Sequence, residues 1–247
     1  MGYGKRIIDY LFKKRPVSPA IRYELEQKKQ ADSDRSDIRV FETGLSAQQY
    51  GNNRQGSRIA EDEESNRLIH IAKENGLFID KSKWENFGDK RTVATGESIV
   101  YLSKDESTYT KLKSPFAKAS LKWISPKDII FEHLIHNVLF PSTRYRFVGI
   151  TEDFSGIRIV LQQENVVDAY IVPSQEAIDD FLLSTLKLSK EDNYFYGNEY
   201  LAITDVSNLS DNVLCRDDGK LFFIDPIIRL KRPATEVLDY LYKTMCV

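Results

Sequence analysis

A chain of 247 residues that is 41% hydrophobic and 29% charged has the ordinary composition of a globular protein, long enough for one two-lobed domain or two small ones. Its formal net charge of -2 supplies no bulk attraction for DNA or RNA, which leaves only a local basic patch for any nucleic-acid partner. Two cysteines, Cys215 and Cys246, are too few for the disulfide framework of a small secreted domain and fit a reducing, cytoplasmic compartment.

Residues 5–14 place Ile7, Ile8, Leu11 and Phe12 on one helical face, and Pro16 and Pro19 end the pattern. This predicts a short amphipathic helix docked on the body of the protein, with attachment to a membrane surface through Lys13, Lys14 and Arg15 as the alternative. Asp9 and Lys13 interrupt the apolar content, so the segment lacks the continuous core of a signal peptide, and no run in the chain has the length to cross a membrane. From about Gln27 to Gln55 the chain is polar and charged and reads as a linker or arm.

A helix is predicted over about 61–75. It opens on Glu61-Asp62-Glu63-Glu64, acids suited to the positive end of a helix dipole, and stops at Asn75-Gly76. From Thr92 the pattern turns to short β-branched runs, with a hairpin of Ser98-Ile99-Val100-Tyr101-Leu102 and Thr108-Tyr109-Thr110-Lys111-Leu112. Ser125-Pro126-Lys127-Asp128 starts a helix that continues from Ile129 to Leu139. Strands follow at 145–150 and 157–161, then a more helical stretch through Ile178, Phe181, Leu182 and Leu186. Tyr200 to Thr204 leads into a polar loop from Asp205 to Asn212, then Val213-Leu214-Cys215, a turn at Asp217-Asp218-Gly219, and the apolar run 221–224 ending in Asp225. A last amphipathic helix is predicted from Ala234 to Tyr242.

Phosphoryl transfer asks a protein to position groups and neutralise charge: a lysine for the phosphates, acids and an amide for Mg²⁺, and a carboxylate near the acceptor hydroxyl. The segment from Asp205 to Asp225 offers such groups in order, and the thirteen-residue interval from Asn212 to Asp225 is what a hairpin needs to bring both to one metal ion. From about Glu64 onward the chain resembles the Ser/Thr/Tyr kinase domain of phage and mobile-element polyvalent proteins. The resemblance is carried by Asn66-Arg67-Leu68-Ile69, Ala72-Lys73-Glu74-Asn75-Gly76, Gly96-Glu97-Ser98-Ile99-Val100-Tyr101-Leu102, Leu139-Phe140-Pro141, Asp205, Asn212-Val213-Leu214 and Phe223-Ile224-Asp225-Pro226, in that order.

The resemblance implies a kinase-like fold with ATP and Mg²⁺ as ligands, Asp205 as catalytic-loop base, and Asn212 and Asp225 as metal ligands. It makes Lys111 the phosphate lysine, with Lys113 on the same strand face as competitor, and Glu132 on the following helix as the lysine's partner. Gly96, Glu97 and Ser98 would cover the phosphates, and Gln162 and Gln163 would form the hinge that meets the adenine. His133 and His136, three apart on one predicted helix, have a spacing that can bind metal, but without a Cys or third His nearby they are expected to be satisfied or exposed. The chain departs from ordinary kinases in its single Gly96, in Ile203-Thr204 before Asp205, in six residues between Asp205 and Asn212, and in Asp225-Pro226-Ile227. With only about twenty residues of this sequence after Asp225, a long activation segment and helical substrate platform are not expected.

The expected fold class is α+β: an N-terminal helix and polar arm over 1–60, a helical lead-in over 61–89, a small antiparallel-sheet N-lobe over 90–163 and a reduced, mainly helical C-lobe over 164–247. The expected activity is transfer of the ATP γ-phosphoryl group to a hydroxyl of a protein or small molecule. The rivals are a pseudokinase that binds nucleotide without transfer, transfer of AMP on the same scaffold, and a structural partner of a mobile element acting through the polar arm.

Overall fold

The structure is a computed structural model that describes residues 58–91, 98–117, 122–123 and 126–245. The pattern at 5–14, the arm at 27–55, and Gly96 and Glu97 lie outside the described residues.

Helix α1 (Arg58–Glu74) buries Leu68, Ile71 and Ala72. It ends as the Asn75-Gly76 pair predicts: Gly76 has a φ of 69°, Leu77 N donates to Ala72 O at 2.8 Å, and Gly76 N donates to Lys73 O at 3.4 Å. This is the double bond of a Schellman stop, and it turns the chain onto the sheet. Phe78 forms a parallel bridge with Ile150, closed by Ile79 N to Ile150 O at 2.8 Å and Ile150 N to Leu77 O at 2.9 Å. The neighbouring position must be glycine, because a Cβ on Gly149 would stand 2.2 Å from Leu77 O. A 3-10 segment, Lys81–Phe87, follows, with Trp84 buried and its indole N–H on Thr151 Oγ1 at 3.0 Å.

Strands β1 (Asp89–Arg91), β2 (Ser98–Leu102) and β3 (Thr108–Lys113) lead to a two-residue-stranded hairpin, β4 (Phe116–Ala117) and β5 (Lys122–Trp123). Helix α2 (Pro126–Leu139) then precedes β6 (Tyr145–Asp153) and β7 (Gly156–Glu164). The first sheet is antiparallel throughout, in the order β1-β2-β3-β7-β6. Side chains alternate between its faces, so Leu112 joins Trp84, Tyr101 and Val160 on one side while Lys111 reaches Tyr145 on the other. The edge strand β6 starts under α2: Asn137 Nδ2 donates to Tyr145 O and Tyr145 N donates to Asn137 Oδ1, both at 2.7 Å. One helical amide thus satisfies the backbone of a strand residue that has no neighbour on that side.

The second half begins with α3 (Gln175–Asp180), capped by Ser174 Oγ on Ala177 N at 3.2 Å and extended by one π turn, Phe181–Thr185. Strands β8 (Ser189–Asp192), β9 (Phe195–Gly197) and β10 (Leu201–Thr204) form a second antiparallel sheet with β13 (Ile227–Leu230), in the order β13-β10-β9-β8. Between β10 and β13 stands the hairpin β11 (Val213–Cys215) with β12 (Leu221–Phe223), and α4 (Ala234–Met245) closes the described chain.

The expectation of a mainly helical second half is corrected here, since six short strands share it with two helices among the described residues. The strands missed by sequence are two to four residues long or lie on an edge, as β13 does, and so lack the repeats that periodicity needs. One continuous core joins both halves: Leu68 of α1, Ile135 of α2, Ile150 and Leu161 of the first sheet, Ile178 and Leu182 of α3 with its extension, Ile203 and Phe223, and Val237 and Leu241 of α4.

Candidate functional site

The β11–β12 hairpin pairs Val213 with Phe223 and turns at Arg216–Gly219, where Gly219 has a φ of 82°. At its open end Ile224 N donates to Asn212 O at 2.8 Å, which sets Asn212 beside the residue that carries the Asp225 carboxylate. Asn212 Nδ2 donates to Asp205 Oδ2 at 2.7 Å and to Asp205 O at 3.3 Å. Two acceptors fix the nitrogen side of the amide and leave its oxygen as the atom open to a cation. Asp205 is exposed and holds a left-handed φ of 60°, a conformation that Asp tolerates better than most side chains and that concentrates at functional turns. The long interval between Asp205 and Asn212 is a folded loop: Ser210 N donates to Ser207 O at 3.0 Å, and Asn208 N donates to Gln175 Oε1 of α3 at 3.0 Å. Leu209 at its tip is 83% exposed.

Asp225 meets three side chains. Lys113 Nζ lies 3.2 Å from Oδ1, Lys111 Nζ 3.6 Å from Oδ2, and the Tyr145 hydroxyl shares its one hydrogen between Oδ1 at 3.2 Å and Ile224 O. Burial alone would push this carboxyl up, but Lys113, Lys111 and the hydrogen bonds from Lys113 and Tyr145 outweigh it and hold Asp225 well below the usual carboxylate range. It is therefore ionised at any physiological pH, and 43% of its side chain faces solvent. Burial pushes Lys111 down to about 8, against the upward pull of Asp225 and with further lowering by Lys113. Burial also raises Tyr145 well above its ordinary value, with Asp225 adding to the rise, so its hydroxyl stays protonated and donates.

The backbone that delivers Asp225 is pinned from below. Phe223 O accepts from Thr143 Oγ1 at 2.6 Å and faces His136 Nε2 at 3.2 Å. Ile224 O accepts from the Tyr145 hydroxyl at 2.5 Å, from Gln163 Nε2 at 3.1 Å and from Lys111 Nζ at 3.4 Å. Both α2 histidines are buried and pack edge-on against Tyr145, with ring centroids at 4.8 Å for His133 and 4.7 Å for His136. Burial holds His136 down to about 3 and His133 well below its ordinary value, so both rings are neutral. His133 Nδ1 bonds Ile129 O, and His136 Nδ1 has no partner.

The structure thus forms two side-chain clusters, Asp225 with Lys111 and Lys113, and Asp205 with Asn212, joined by the backbone bond from Ile224 N to Asn212 O. It puts other expected residues elsewhere. Glu132 is half-buried but is not among the groups that meet the Lys111 ammonium, because α2 turns His133, His136 and Asn137 toward Tyr145 and places Glu132 off that face. Gln162 and Gln163 lie inside β7, a central strand flanked by β3 and β6, rather than in a free link. The Gln162 side chain bonds Thr110 Oγ1 and Arg146, and Gln163 donates to Thr143 O at 2.7 Å. Ser98 opens β2 opposite Lys113. Sequence reasoning missed Tyr145 and Thr143, which have no local motif and acquire a role only when β6 and the turn before it pack beside Asp225.

Comparison with protein-family models matches residues 61–232 to the serine/threonine/tyrosine kinases found in polyvalent proteins. The chain belongs to this family. No curated protein and no solved structure matches the chain. The matched span runs from α1 past β13 and includes both clusters. Among its described residues no group of three or more His, Cys, Asp or Glu side chains is arranged for a metal, and no helix is long and apolar enough to cross a membrane. The oxygen donors on offer are instead the ionised Asp225 carboxylate and the side-chain oxygen of Asn212, whose backbone is bonded to the residue before Asp225. These are hard oxygen ligands, and they suit Mg²⁺, which takes few protein ligands and completes its shell with water and phosphate oxygens.

Proposed function

We propose that this protein is an ATP- and Mg²⁺-dependent kinase that transfers the γ-phosphoryl group to a hydroxyl acceptor, with the two sheets as the cores of two kinase-like lobes. The observation that carries the reading is the ionised Asp225 carboxylate, fixed at the end of β12 between two lysines and beside Asn212. Asp225 and the Asn212 oxygen hold Mg²⁺. The bound ion supplies charge neutralisation on the phosphate oxygens. The Lys111–Lys113 face of β3 supplies positive charge to the same phosphates. Asp205 orients the acceptor hydroxyl and accepts its proton as the acceptor oxygen bonds to the γ-phosphorus; the bond from that phosphorus to the β–γ bridging oxygen breaks, and ADP leaves with the electron pair. Backbone beyond Glu164, where the β7 ladder ends, supplies the groups that meet the adenine.

A second reading, nucleotide binding without transfer, is favoured by one observation: the Asp205 carboxylate is engaged by the Asn212 amide at 2.7 Å, so base and metal ligand hold each other. Incubation with γ-labelled and α-labelled ATP separates the readings. Label from the γ position on protein or small-molecule hydroxyls supports the kinase; a nucleotide complex with no label transferred selects the binding module. Asp225→Ala is expected to weaken Mg-ATP binding by at least about 100-fold in calorimetric titration, since a charged group that neutralises a ligand's cation is lost. Unchanged affinity in that variant sinks the site assignment.

A further inference from the structure

Two lysines stand two residues apart on β3 and meet one carboxylate, yet their surroundings differ. The Lys111 ammonium has three N–H donors, and it faces three acceptors: the Tyr145 hydroxyl at 2.8 Å, Ile224 O at 3.4 Å and Asp225 Oδ2 at 3.6 Å. Its side chain is 10% exposed. Lys113 meets Asp225 Oδ1 at 3.2 Å, and its side chain is 27% exposed at the end of β3, opposite Ser98. Tyr145 links the two, with Lys111 Nζ 5.0 Å and Lys113 Nζ 5.8 Å from its ring centroid. The ring itself is held by His133 and His136, and its backbone by Asn137, so the hydroxyl is presented from a rigid base.

We propose that the lysines divide the work: Tyr145 positions Lys111 as a fixed strut under Asp225, and Lys113 is the lysine that contacts phosphate. The Lys113 half rests on the nucleotide reading given above, whereas the Lys111 half rests on the contacts of Tyr145 alone. Swinging Lys111 outward toward a ligand would break three contacts at once and strip charge from beneath Asp225. Lys113 has one hydrogen-bonded partner to exchange, Asp225, beside a looser contact with the Tyr145 ring, and it starts nearer solvent. Tyr145 therefore does what was expected of Glu132, with a neutral acceptor in place of an acid, and among the described residues leaves Asp225 as the carboxylate shared by both ammonium groups.

An acyl-phosphate derivative of ATP, which passes its acyl group to whichever lysine lies at the phosphates, reads this directly when labelled peptides are identified by mass spectrometry. Wild-type protein is expected to carry the label on Lys113, blocked by excess ATP. Tyr145→Phe keeps the ring against both histidines and removes only the hydroxyl; once a thermal melt shows it folded, it is expected to gain label on Lys111. Wild-type label on Lys111 instead of Lys113 overturns the division and leaves the nucleotide reading intact. An absence of ATP-blocked label on either lysine overturns the Lys113 assignment together with the nucleotide reading. The Lys111 half also has a measurement that needs no nucleotide: a crystal structure of Tyr145→Phe, where Lys111 Nζ is expected to leave Ile224 O and Asp225, and an unmoved ammonium overturns the positioning role.

Discussion

His133 and His136 show how single side chains tie this site to solvent pH. Burial lowers both in the folded protein, His136 to about 3, while in an unfolded chain each returns to about 6.5. Between those values the unfolded state binds protons that the folded state refuses, so stability rises with pH across the window and is lost as pH falls below about 6.5. Each histidine costs about 1.4 kcal/mol per pH unit of descent. His136 also leaves Nδ1 buried without a partner, and the carbonyl its other nitrogen faces, Phe223 O, is already served by Thr143. His136→Leu is therefore expected to match wild type within about 1 kcal/mol at pH 8 and to exceed it by about 2 kcal/mol at pH 5. Urea unfolding at the two pH values measures both, and an equal difference at each would show that the ring does not remain neutral. Asp225 and the two lysines were legible as candidate residues because charged groups at a strand end and on a strand face stand out. Tyr145 was not, because its hydroxyl matters only through atoms that are 79 and 80 positions away or on another strand.

The decisive contacts between elements are few and specific. Helix α2 is tied to the sheet edge by the two bonds between Asn137 and the backbone of Tyr145, and those bonds set where the hydroxyl stands relative to Asp225. Asn137→Ala leaves a buried N–H and a buried C=O without partners, which costs about 3 kcal/mol. Chemical denaturation is expected to show that loss, and a change under about 0.5 kcal/mol would mean that water replaces the amide. The larger elements were readable in advance: α1, the β2–β3 hairpin, α2, β6, β7 and α4 each fall within a few residues of expectation. The β1, β8, β9 and β13 strands were not, since each pairs through backbone atoms at a length too short to display alternation.

At the scale of the whole molecule, one core runs from α1 through both sheets to α4, while the groups proposed to bind nucleotide come from both sides of it: Lys111 and Lys113 from the first sheet, Asp205, Asn212 and Asp225 from the second half. A ligand held by both halves stabilises the folded state as a unit. At about 100 times its dissociation constant, Mg-ATP is expected to add about 2.7 kcal/mol, a rise of about 5–8 °C in Tm for a chain of this size. Differential scanning calorimetry with Mg-ATP on wild type and Asp225→Ala checks it; equal rises in the two would place the nucleotide away from Asp225.

Sequence alone was enough for the order of the main elements, for the family resemblance that the family match bears out, and for the proximity of Asn212 and Asp225. The hairpin register bonds Asn212 to Ile224 through local backbone atoms, so the nearness of the next residue, Asp225, is written in the chain. The tertiary structure decided which groups surround Lys111. Its partners lie 34, 113 and 114 positions away, and whether α2 presents Glu132 or His133 and His136 to the sheet depends on the rotation of a packed helix, which periodicity in a helix as apolar as α2 does not fix.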